Sequence, residues 1–379
     1  MKFETTRIGA LKKLEHFVEN DILNYSSKRN FDFGVDNRKN VSCLSPYITH
    51  RLITEYETVK LVLNKHPYQK VDKYIQEIFW RIYWKGWLEL RPRVWSDFIE
   101  DLKFIKDDEN YLKAIQGETE IECFNDWVNE LKEFNYLHNH TRMLFASIWI
   151  FTLKLPWQKG AEFFMKHLFD GDAASNTLSW RWVAGIQTKG KNYLAQSWNI
   201  SKFSNNKYKN VKLNENVAPV KDKREYVISP VQINKNDQKN EYLIFFDNET
   251  HAQSFNLKKY KKIFFVLLDN NSRSIKLDPK VLDFKKKIIS SEIINDEFDI
   301  KSLDENSLIN FTEKTNSFDV VYPSVGENLS FLKKLIKKNN LNINFITREE
   351  DEYCWKFSNK GFFNFKGNIP IILSTFKLN

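Results

Sequence analysis

The sequence predicts a two-part fold: a mainly helical domain at residues 1–212, a linker at 213–240 and a smaller α/β domain with an open sheet at 241–379. Two domains are expected because a chain of 379 residues exceeds what one hydrophobic core usually serves. Ten of the eleven tryptophans precede residue 200, and after residue 240 short continuous apolar runs recur between helical patterns. Both changes in composition indicate a boundary between the two parts.

Helical periodicity is clear in two stretches of the first domain. Apolar residues recur at three- and four-residue intervals over residues 6–23 and 71–87, which is the pattern of helices with one buried face. Residues 147–167 are strongly apolar and then helical again. Residues 97–121 are charged and only loosely periodic, so they are interpreted as a connecting region. Residues 205–240 are polar and rich in asparagine and lysine, which is typical of a linker.

The last third of the chain alternates between predicted strands and helices. Continuous apolar runs indicate buried strands, and these runs lie at residues 242–246, 263–268, 318–322, 343–346 and 369–373. Residues 329–336 have the spacing of an amphipathic helix. This alternation favours a parallel, Rossmann-like open sheet with right-handed crossovers. A dinucleotide-binding site is not supported, because the chain has no G-x-G-x-x-G motif.

The net charge indicates a class of partner, and the positions of the cysteines argue against several kinds of site. The net charge of +9 favours a polyanionic partner. The three cysteines, Cys43, Cys123 and Cys354, are scattered, which argues against a zinc site, a disulfide framework or a four-cysteine cluster. The N-terminus is polar, and no stretch approaches the ~20 apolar residues of a membrane span. We therefore expect a cytoplasmic protein that binds neither metal nor membrane.

One stretch concentrates residue types that rarely occur together for packing alone. Asp170 and Asp172 flank a single glycine, Asn176 follows four residues later, and Trp180 and Trp182 come next. Buried carboxylates need partners, and a tryptophan N–H usually finds one. The stretch therefore predicts one wall of a pocket for a large, flat ligand with polar edges.

The pattern D-G-D-x-A-x-N-x-x-x-W-x-W resembles the flavin-binding core of the DNA photolyase/cryptochrome family. The resemblance implies a helical domain that holds FAD in a U shape, with this pattern beside the isoalloxazine ring. It further implies that Asp170 lies at the polar edge of the ring, that Asp172 bonds the ring N–H or the ribose, and that Asn176 faces N5. A helical hairpin with a chance D-G-D turn is the alternative for this motif alone, but four further stretches in family order favour the flavin site.

A second stretch is similar to the family's H-N-x-x-R-M element. Asn139, Arg142 and Met143 match it, which implies that Asn139 reaches the substrate pocket, Arg142 pairs with Asp170, and Met143 contacts the lesion. An arginine facing Asp170 would keep both groups charged. The (6-4) branch of the family carries histidine at the position of Asn139, so the resemblance favours repair of cyclobutane dimers.

A third stretch is similar to the family's E-x-x-W-R helix. Glu77, Trp80 and Arg81 match it, and Tyr74 lies one turn earlier. The resemblance implies that Glu77 bonds the thymine edges and that Trp80 stacks on the lesion. It also implies that Arg81 lies nearby as a cofactor-binding residue and that Tyr74 lies against the flavin or the substrate. The alternative for Glu77 and Arg81 is a surface ion pair, worth only ~0.3–0.5 kcal/mol.

A fourth stretch resembles the loop that binds the FAD phosphates. A tyrosine, Tyr25, precedes V-S-C-L-S-P-Y, in which Ser42, Leu44 and Ser45 match the family pattern and Val41 replaces the usual threonine. Ser45 and the following proline are interpreted as a helix cap and first turn. An ordinary helix cap is the alternative reading of Ser45.

The fifth stretch is similar to the tryptophan relay through which photolyases photoreduce their flavin. Trp157 and Trp180 match its first two members, whereas phenylalanine, near Phe104, stands in place of the third. Either another residue (Trp127, Trp198 or a tyrosine) ends the relay, or photoreduction is impaired. Core packing is the alternative for each tryptophan. After Trp182, which the resemblance places against the substrate with Trp80, a basic loop follows.

In that loop, Lys189 and Lys191 are suited to DNA phosphates, and a solvated charged loop is the alternative.

Together these matches predict FAD-dependent, blue-light-driven repair of cyclobutane pyrimidine dimers in DNA, single- or double-stranded. A cryptochrome-like flavin photoreceptor without repair activity is the alternative, and a helical DNA-binding protein without flavin is a third possibility. Photolyases carry an α/β antenna domain before the FAD domain, so residues 241–379 are interpreted as an antenna-like domain moved by circular permutation, with room for an unidentified antenna chromophore.

Overall fold

The computed structural model describes residues 2–231, 233, 239–294 and 297–379. The chain separates into two compact units that do not follow the order of the sequence. The first unit comprises Met1–Phe3, His16–Cys43 and Arg93–Tyr226, and the second comprises Glu4–Glu15, Leu44–Pro92 and Val227–Asn379. The predicted domains at 1–212 and 241–379 stay a prediction, and within the predicted linker residues 232 and 234–238 lie outside the described residues.

The described residues of the first unit are helical, with irregular connections. Helices are numbered in chain order. Helix α1 (Arg7–Asn20) begins in the second unit and ends in the first, which continues with a short 3₁₀ turn (Ile22–Asn24). The further helices of this unit are α2 (Tyr25–Lys28), α6 (Arg93–Leu102), α7 (Glu109–Gln116), α8 (Glu122–Phe134), α9 (Asn139–Ser147), a π-helical turn (Ile148–Thr152), α10 (Trp157–His167), α11 (Ala173–Val183) and α12 (Ser197–Phe203).

The connecting region predicted at 97–121 was wrong, because helix α6 extends into it and α7 lies within it. Helix α6 buries Val94, Trp95 and Phe98 on one face. Helix α7 begins where the Asp108 side chain accepts a hydrogen bond from the Tyr111 N–H (2.8 Å) and ends at a glycine with a φ of +73°. The charges that obscured the periodicity lie on the exposed faces.

The second unit contains helices from both ends of the chain and one sheet. Its helices are α3 (Ser45–Thr49), α4 (Glu55–Lys65), α5 (Tyr68–Glu89), α13 (Pro279–Ile293), α14 (Glu305–Lys314), α15 (Glu327–Asn339), α16 (Glu349–Trp355), α17 (Phe362–Lys366) and α18 (Ile369–Thr375), with a 3₁₀ turn at Ala252–Ser254. Its strands are β1 (Tyr242–Phe246), β2 (Lys262–Val266), β3 (Ile300–Leu303), β4 (Ser317–Val321) and β5 (Asn342–Ile346).

The five strands form a parallel sheet in the order β3-β2-β1-β4-β5. Alternate side chains enter two separate cores. Ile244 and Phe246 of β1 pack into one, while Leu243 and Phe245 pack into the other. Both faces of the sheet are therefore buried, which explains why the strands appear as continuous apolar runs. The predicted fold class, mainly helical with a smaller α/β part, is confirmed.

Two predictions for this unit were wrong in detail. Residues 369–373, predicted as a strand, form α18, in which Pro370 occupies the first turn, where its fixed φ favours helix initiation. Strand β3 was missed because only Ile300 of its four residues is fully buried, so it lacks a continuous apolar run.

A buried ion-pair network connects three distant stretches of the second unit. Arg51 is 2% exposed, and its Nη1 lies 2.5 Å from both Glu249 Oε1 and Asp351 Oδ2. Its Nε lies 3.3 Å from Glu55 Oε2. Burial opposes the charge of Arg51, but Asp351 and Glu249 outweigh burial and raise the pKa of the guanidinium well above its usual value. Arg348 Nη2 is a second partner of Glu249, at 3.0 Å.

Glu89 is a buried carboxyl group at the end of α5, and we expect it to make stability depend on pH. It accepts hydrogen bonds from Tyr322 Oη (2.8 Å) and the Val325 N–H (2.7 Å), and burial raises its pKa to about 7. Because the folded state binds this proton more tightly, its contribution is fully present below pH ~4.5 and is lost as pH rises through ~7. The contribution amounts to about 3 kcal/mol.

Urea unfolding of wild type and Glu89→Gln between pH 5 and 8 measures this effect. The free energy of unfolding of the wild type should fall relative to that of the variant over this range. Tyr322→Phe should move this decrease in the free energy of unfolding to higher pH, because it removes a hydrogen bond that lowers the Glu89 pKa. Parallel pH profiles for wild type and Glu89→Gln would exclude this role for Glu89.

In the described part of the chain, every helix is too short or too polar to serve as a membrane span.

Candidate flavin site

The D-G-D motif forms the turn between α10 and α11. Asp172 is the N-cap of α11, and its Oδ2 accepts a hydrogen bond from the Ser175 N–H (2.7 Å). A Cβ atom at Gly171 would lie 3.2 Å from the carbonyl oxygen of Met165 and 3.3 Å from that of Leu168. The turn is therefore tight enough to favour glycine between the two aspartates.

Hydrogen bonds hold this turn beside the end of α8, shortly before α9 begins. The Phe169 N–H donates to the carbonyl oxygen of Asn135 (2.9 Å), and Asn135 Nδ2 donates to the carbonyl oxygen of His167 (2.7 Å). Asn135 adopts a left-handed φ of +54° at the end of α8, a conformation that asparagine tolerates. Two motifs separated in sequence are thereby brought together.

The ion pair between Arg142 and Asp170 is the best-defined feature of the site. Arg142 Nη2 lies 2.9 Å from Asp170 Oδ2, and the Asp170 side chain is only 2% exposed. Arg142 Nε donates to the carbonyl oxygen of Leu137 (2.9 Å), and its guanidinium lies 5.0 Å from the ring centroid of Tyr136. The expected pairing is present, and its role in flavin binding stays a prediction.

Asp172, Asn176 and Trp180 occur at four-residue intervals and therefore share one face of the helix. Asn176 is buried, and its Nδ2 donates to the carbonyl oxygen of Ala161 (2.9 Å). Trp180 is 2% exposed, and its Nε1 has no hydrogen-bond partner among the described residues. A buried indole donor usually has a partner.

This face and the neighbouring ion pair fit an isoalloxazine ring, whose edges carry both N–H donors and carbonyl acceptors. The carboxylates can accept hydrogen bonds from the ring N–H groups. Arg142 and the Trp180 indole can donate hydrogen bonds to the ring carbonyl oxygens.

The two predicted relay tryptophans both lie in the first unit. Trp157 is buried at the start of α10 and stacks on Phe98, with ring centroids 5.5 Å apart at 22°. Trp180 instead contacts Trp149 at 6.1 Å and Phe164 at 5.1 Å. Trp149 was regarded from the sequence only as part of an apolar run. No motif in the sequence specified its contact with Trp180.

The predicted DNA-contacting residues at the end of α11 and in the loop after it are half-buried or exposed. Trp182 is half-buried and stacks on Tyr193, with centroids 5.6 Å apart at 26°. Lys189 is exposed and pairs with Glu225 at 2.8 Å, and Lys191 is exposed. A glycine with a φ of +82° separates the two lysines and turns the loop.

Four other predicted residues occupy helix starts and loops of the first unit. Asn139 is the exposed first residue of α9, and Met143 is half-buried one turn later. Tyr25 is half-buried at the start of α2, with its ring 6.2 Å from that of Phe17. Ser42 is half-buried before α3.

Leu44 and Ser45 belong to the second unit. The predicted helix start is correct, but Leu44, not Ser45, is the N-cap, and no side-chain hydrogen bond caps α3. Pro46 occupies the first turn, as expected.

In the second unit, α5 carries the E-x-x-W-R residues. Tyr74 is buried and Glu77 is half-buried. Arg81 Nε lies 3.6 Å from Glu55 Oε1, and Arg81 also donates to the Thr49 hydroxyl. Burial alone would raise the pKa of Glu55, but Lys85, Arg51 and Arg81 outweigh it and lower the pKa to about 2. Arg81 is therefore held by a buried carboxylate within its own unit.

Trp80 has an aromatic partner that the sequence did not indicate. Its ring stacks on that of Phe362 in α17, with centroids 3.6 Å apart at 12°. Phe362 is 5% exposed, whereas its neighbour Phe363 is 84% exposed. The G-F-F-N-F run was a visible aromatic signal, but nothing in it specified contact with residue 80.

Within the described ranges, histidine, cysteine and carboxylate side chains form no group of three that could hold a metal ion.

Comparison with known proteins identifies the relatives of the chain. A family model described as the FAD binding domain of DNA photolyase matches residues 74–266. The deoxyribodipyrimidine photo-lyase of Buchnera aphidicola subsp. Baizongia pistaciae is 30% identical over 191 residues, covering 48% of this chain and 39% of that protein. That of Vibrio cholerae is 26% identical over 200 residues, covering 50% and 41%.

Among solved structures, a class III photolyase from Agrobacterium tumefaciens is 25% identical, with a TM-score of 0.46, over 53% of this chain and 43% of that one. The chain thus spans about two fifths of the length of the curated relatives that it matches.

The family match covers 193 of the 379 residues and is specific to an FAD-binding domain, which confirms the predicted cofactor. On this ground the chain belongs to the DNA photolyase/cryptochrome family of FAD-binding proteins.

Proposed function

We propose that the protein uses FAD and blue light to split cyclobutane pyrimidine dimers in DNA. The observation that carries the proposal is the Arg142–Asp170 ion pair beside the face of α11 that holds Asp172 and Asn176. When bound, reduced flavin would supply the light absorption and the electron for opening the cyclobutane ring. The named relatives are photo-lyases, and they support this activity.

The side chains of the first unit would bind and orient the flavin. The ion pair fixes the direction of the Asp170 carboxylate, because Arg142 is itself held by the carbonyl oxygen of Leu137. Asp172 is held by its capping bond to the Ser175 N–H. Asn176 uses its amide nitrogen on Ala161, so its carbonyl oxygen is the atom it can offer to a ligand donor.

The substrate contacts are proposed from the family motifs and from exposure. Asn139 and Met143 would contact the lesion, and Trp182 would stack on it. Lys189 and Lys191 would contact phosphates. Extrusion of a dimer from the duplex costs a few kcal/mol, less than for an intact pair, and stacking offsets it.

Glu77 and Trp80 on α5 are proposed to bind the edge and face of the dimer. A contact of Trp80 supports a second candidate function. Phe362 already stacks on the Trp80 ring at 3.6 Å, so one face of this indole is covered within its own unit. A flavin photoreceptor does not need Trp80 to stack on a base, and this contact therefore favours a photoreceptor without repair activity.

Blue-light repair of an oligonucleotide that carries one thymine dimer tests the proposal. We expect the purified, FAD-loaded protein to restore the intact bases, and Glu77→Gln and Trp182→Ala to lose most of that activity. Loss of one stacked base contact costs about 1–3 kcal/mol, so Trp182→Ala should bind the lesion roughly 5- to 150-fold more weakly.

Trp198→Ala is the matched control, because Trp198 is an exposed tryptophan outside the family motifs. It should repair like the wild type. A flavin-loaded protein that repairs no dimer and binds damaged and intact DNA equally would instead support the photoreceptor.

A further inference from the structure

Three oxidisable rings form a continuous path from Trp180 towards the surface of the first unit. The centroid of Trp180 lies 6.1 Å from that of Trp149, at an interplanar angle of 83°. The centroid of Trp149 lies 5.9 Å from that of Tyr111, at 82°. Trp180 and Trp149 are fully buried, whereas Tyr111 is half-exposed on α7. The path therefore begins one turn from Asn176 and ends where solvent can reach it.

The backbone is shaped to let the two indoles approach. A Cβ atom at Gly160 would lie 2.2 Å from Cη2 of Trp180 and 3.0 Å from Nε1 of Trp149. Trp149 is carried on the π-helical turn, and its Nε1 donates to the carbonyl oxygen of Pro156 (2.9 Å). Both rings are thus held against the same glycine of α10.

The surroundings of Tyr111 suit the loss of a proton when the ring is oxidised. Burial raises the pKa of the Tyr111 hydroxyl to about 12, so the side chain is neutral at physiological pH. Lys159 Nζ lies 4.8 Å from the ring centroid and pairs with Asp107 (2.8 Å) and Glu162 (2.7 Å). Two carboxylates are therefore available near the phenol as proton acceptors, in addition to water.

We propose that Tyr111 is the solvent-side end of an electron-donating path, Tyr111–Trp149–Trp180, that serves the bound flavin. The proposal rests on the light-driven function proposed above. Trp180 gives one electron to the light-excited flavin, Trp149 replaces it, and Tyr111 replaces the electron of Trp149 while its O–H proton leaves. A thiol in solution then returns one hydrogen atom to the neutral tyrosyl radical and becomes a thiyl radical.

The path explains how electrons reach Trp180 without the third tryptophan of the family relay. Trp157 stacks on Phe98, and phenylalanine is far harder to oxidise than tryptophan or tyrosine. In the path from Trp180 through Trp149 to Tyr111, by contrast, each ring is oxidisable.

Laser-flash absorption of the FAD-loaded protein, without added thiol, tests the assignment. We expect a long-lived tyrosyl radical signal that is lost in Tyr111→Phe and in Trp149→Phe. Tyr208→Phe is the matched control, because Tyr208 lies 6.0 Å from Trp127 in the same edge-to-face geometry, in a pair separate from the path. This control should keep the signal.

Flavin-free protein gives an independent readout. Oxidation of tryptophans by azide radicals in pulse radiolysis should be followed by conversion of tryptophanyl to tyrosyl signal. The kinetic phase in which Tyr111 reduces a tryptophanyl radical should be absent in Tyr111→Phe and present in Tyr208→Phe. If both path variants keep the wild-type tyrosyl signals in the two experiments, the path is wrong. If the phase is lost but light produces no radical in the loaded protein, the path stands and the light-driven function fails.

Discussion

Replacing Arg51 by methionine should lower the free energy of unfolding by about 3–5 kcal/mol, the usual cost of breaking a buried ion pair from one side. Arg51 is 2% exposed and binds Asp351 through two nitrogens, Nη1–Oδ2 at 2.5 Å and Nη2–Oδ1 at 2.8 Å. Methionine fills much of the same volume, so the main loss is the charge that Asp351 and Glu249 require. Urea unfolding followed by tryptophan fluorescence measures the difference.

Arg93→Met is the matched control. Arg93 has a side chain that is 78% exposed, and its Nη2 lies 3.9 Å from Asp97 Oδ2, so its loss should change stability by less than about 1 kcal/mol. A similarly small change in Arg51→Met would contradict the importance assigned to the network. The double variant Arg51→Met/Asp351→Leu should recover part of the loss, because it removes the carboxylate bound through two nitrogens.

The second large effect is expected at the flavin site. Arg142→Met should weaken FAD binding, since Asp170 is 2% exposed and would lose the cation at 2.9 Å that orients it. Truncating one partner of a buried charge pair costs about 2–5 kcal/mol, or roughly 30-fold or more in Kd. Titration of the flavin-free protein with FAD, followed by flavin fluorescence, gives the affinity.

Lys207→Met serves as the control, because Lys207 is an exposed cation of the same unit that pairs with Asp126 at 2.9 Å. It should bind FAD like the wild type. Circular dichroism of Arg142→Met separates a local loss of affinity from unfolding. If a folded Arg142→Met variant binds FAD with wild-type affinity, the ion pair has no part in the flavin site.

The contacts that could be predicted from the sequence are those carried by recognisable motifs. Arg142 and Asp170 were expected to pair because each belongs to a motif with its own spacing, and the structure brings them to 2.9 Å. The helix start at Pro46 and the strands at 242–246 and 343–346 were likewise visible locally, as a proline position and as apolar runs. In each case the signal, whether a motif, a proline position or an apolar run, spans only a few residues of the sequence.

The contacts that could not be predicted depend on long-range packing. Phe362 meets Trp80 across 282 residues of sequence, and neither neighbourhood has a pattern that specifies the other. Arg51 follows a short helix and resembles an ordinary surface arginine until Glu249 and Asp351 are placed beside it. The helix at 369–375 was mistaken for a strand because a short apolar run is compatible with both.

The Arg51 network has a consequence for how the protein is made. Asp351 follows Arg51 by 300 residues, and at about 5–20 residues per second a ribosome needs roughly 15–60 s to add them. For the whole of that interval the guanidinium of Arg51 lacks Asp351, and for about two thirds of it also Glu249. The interior of the second unit can therefore be completed only after translation has passed residue 351.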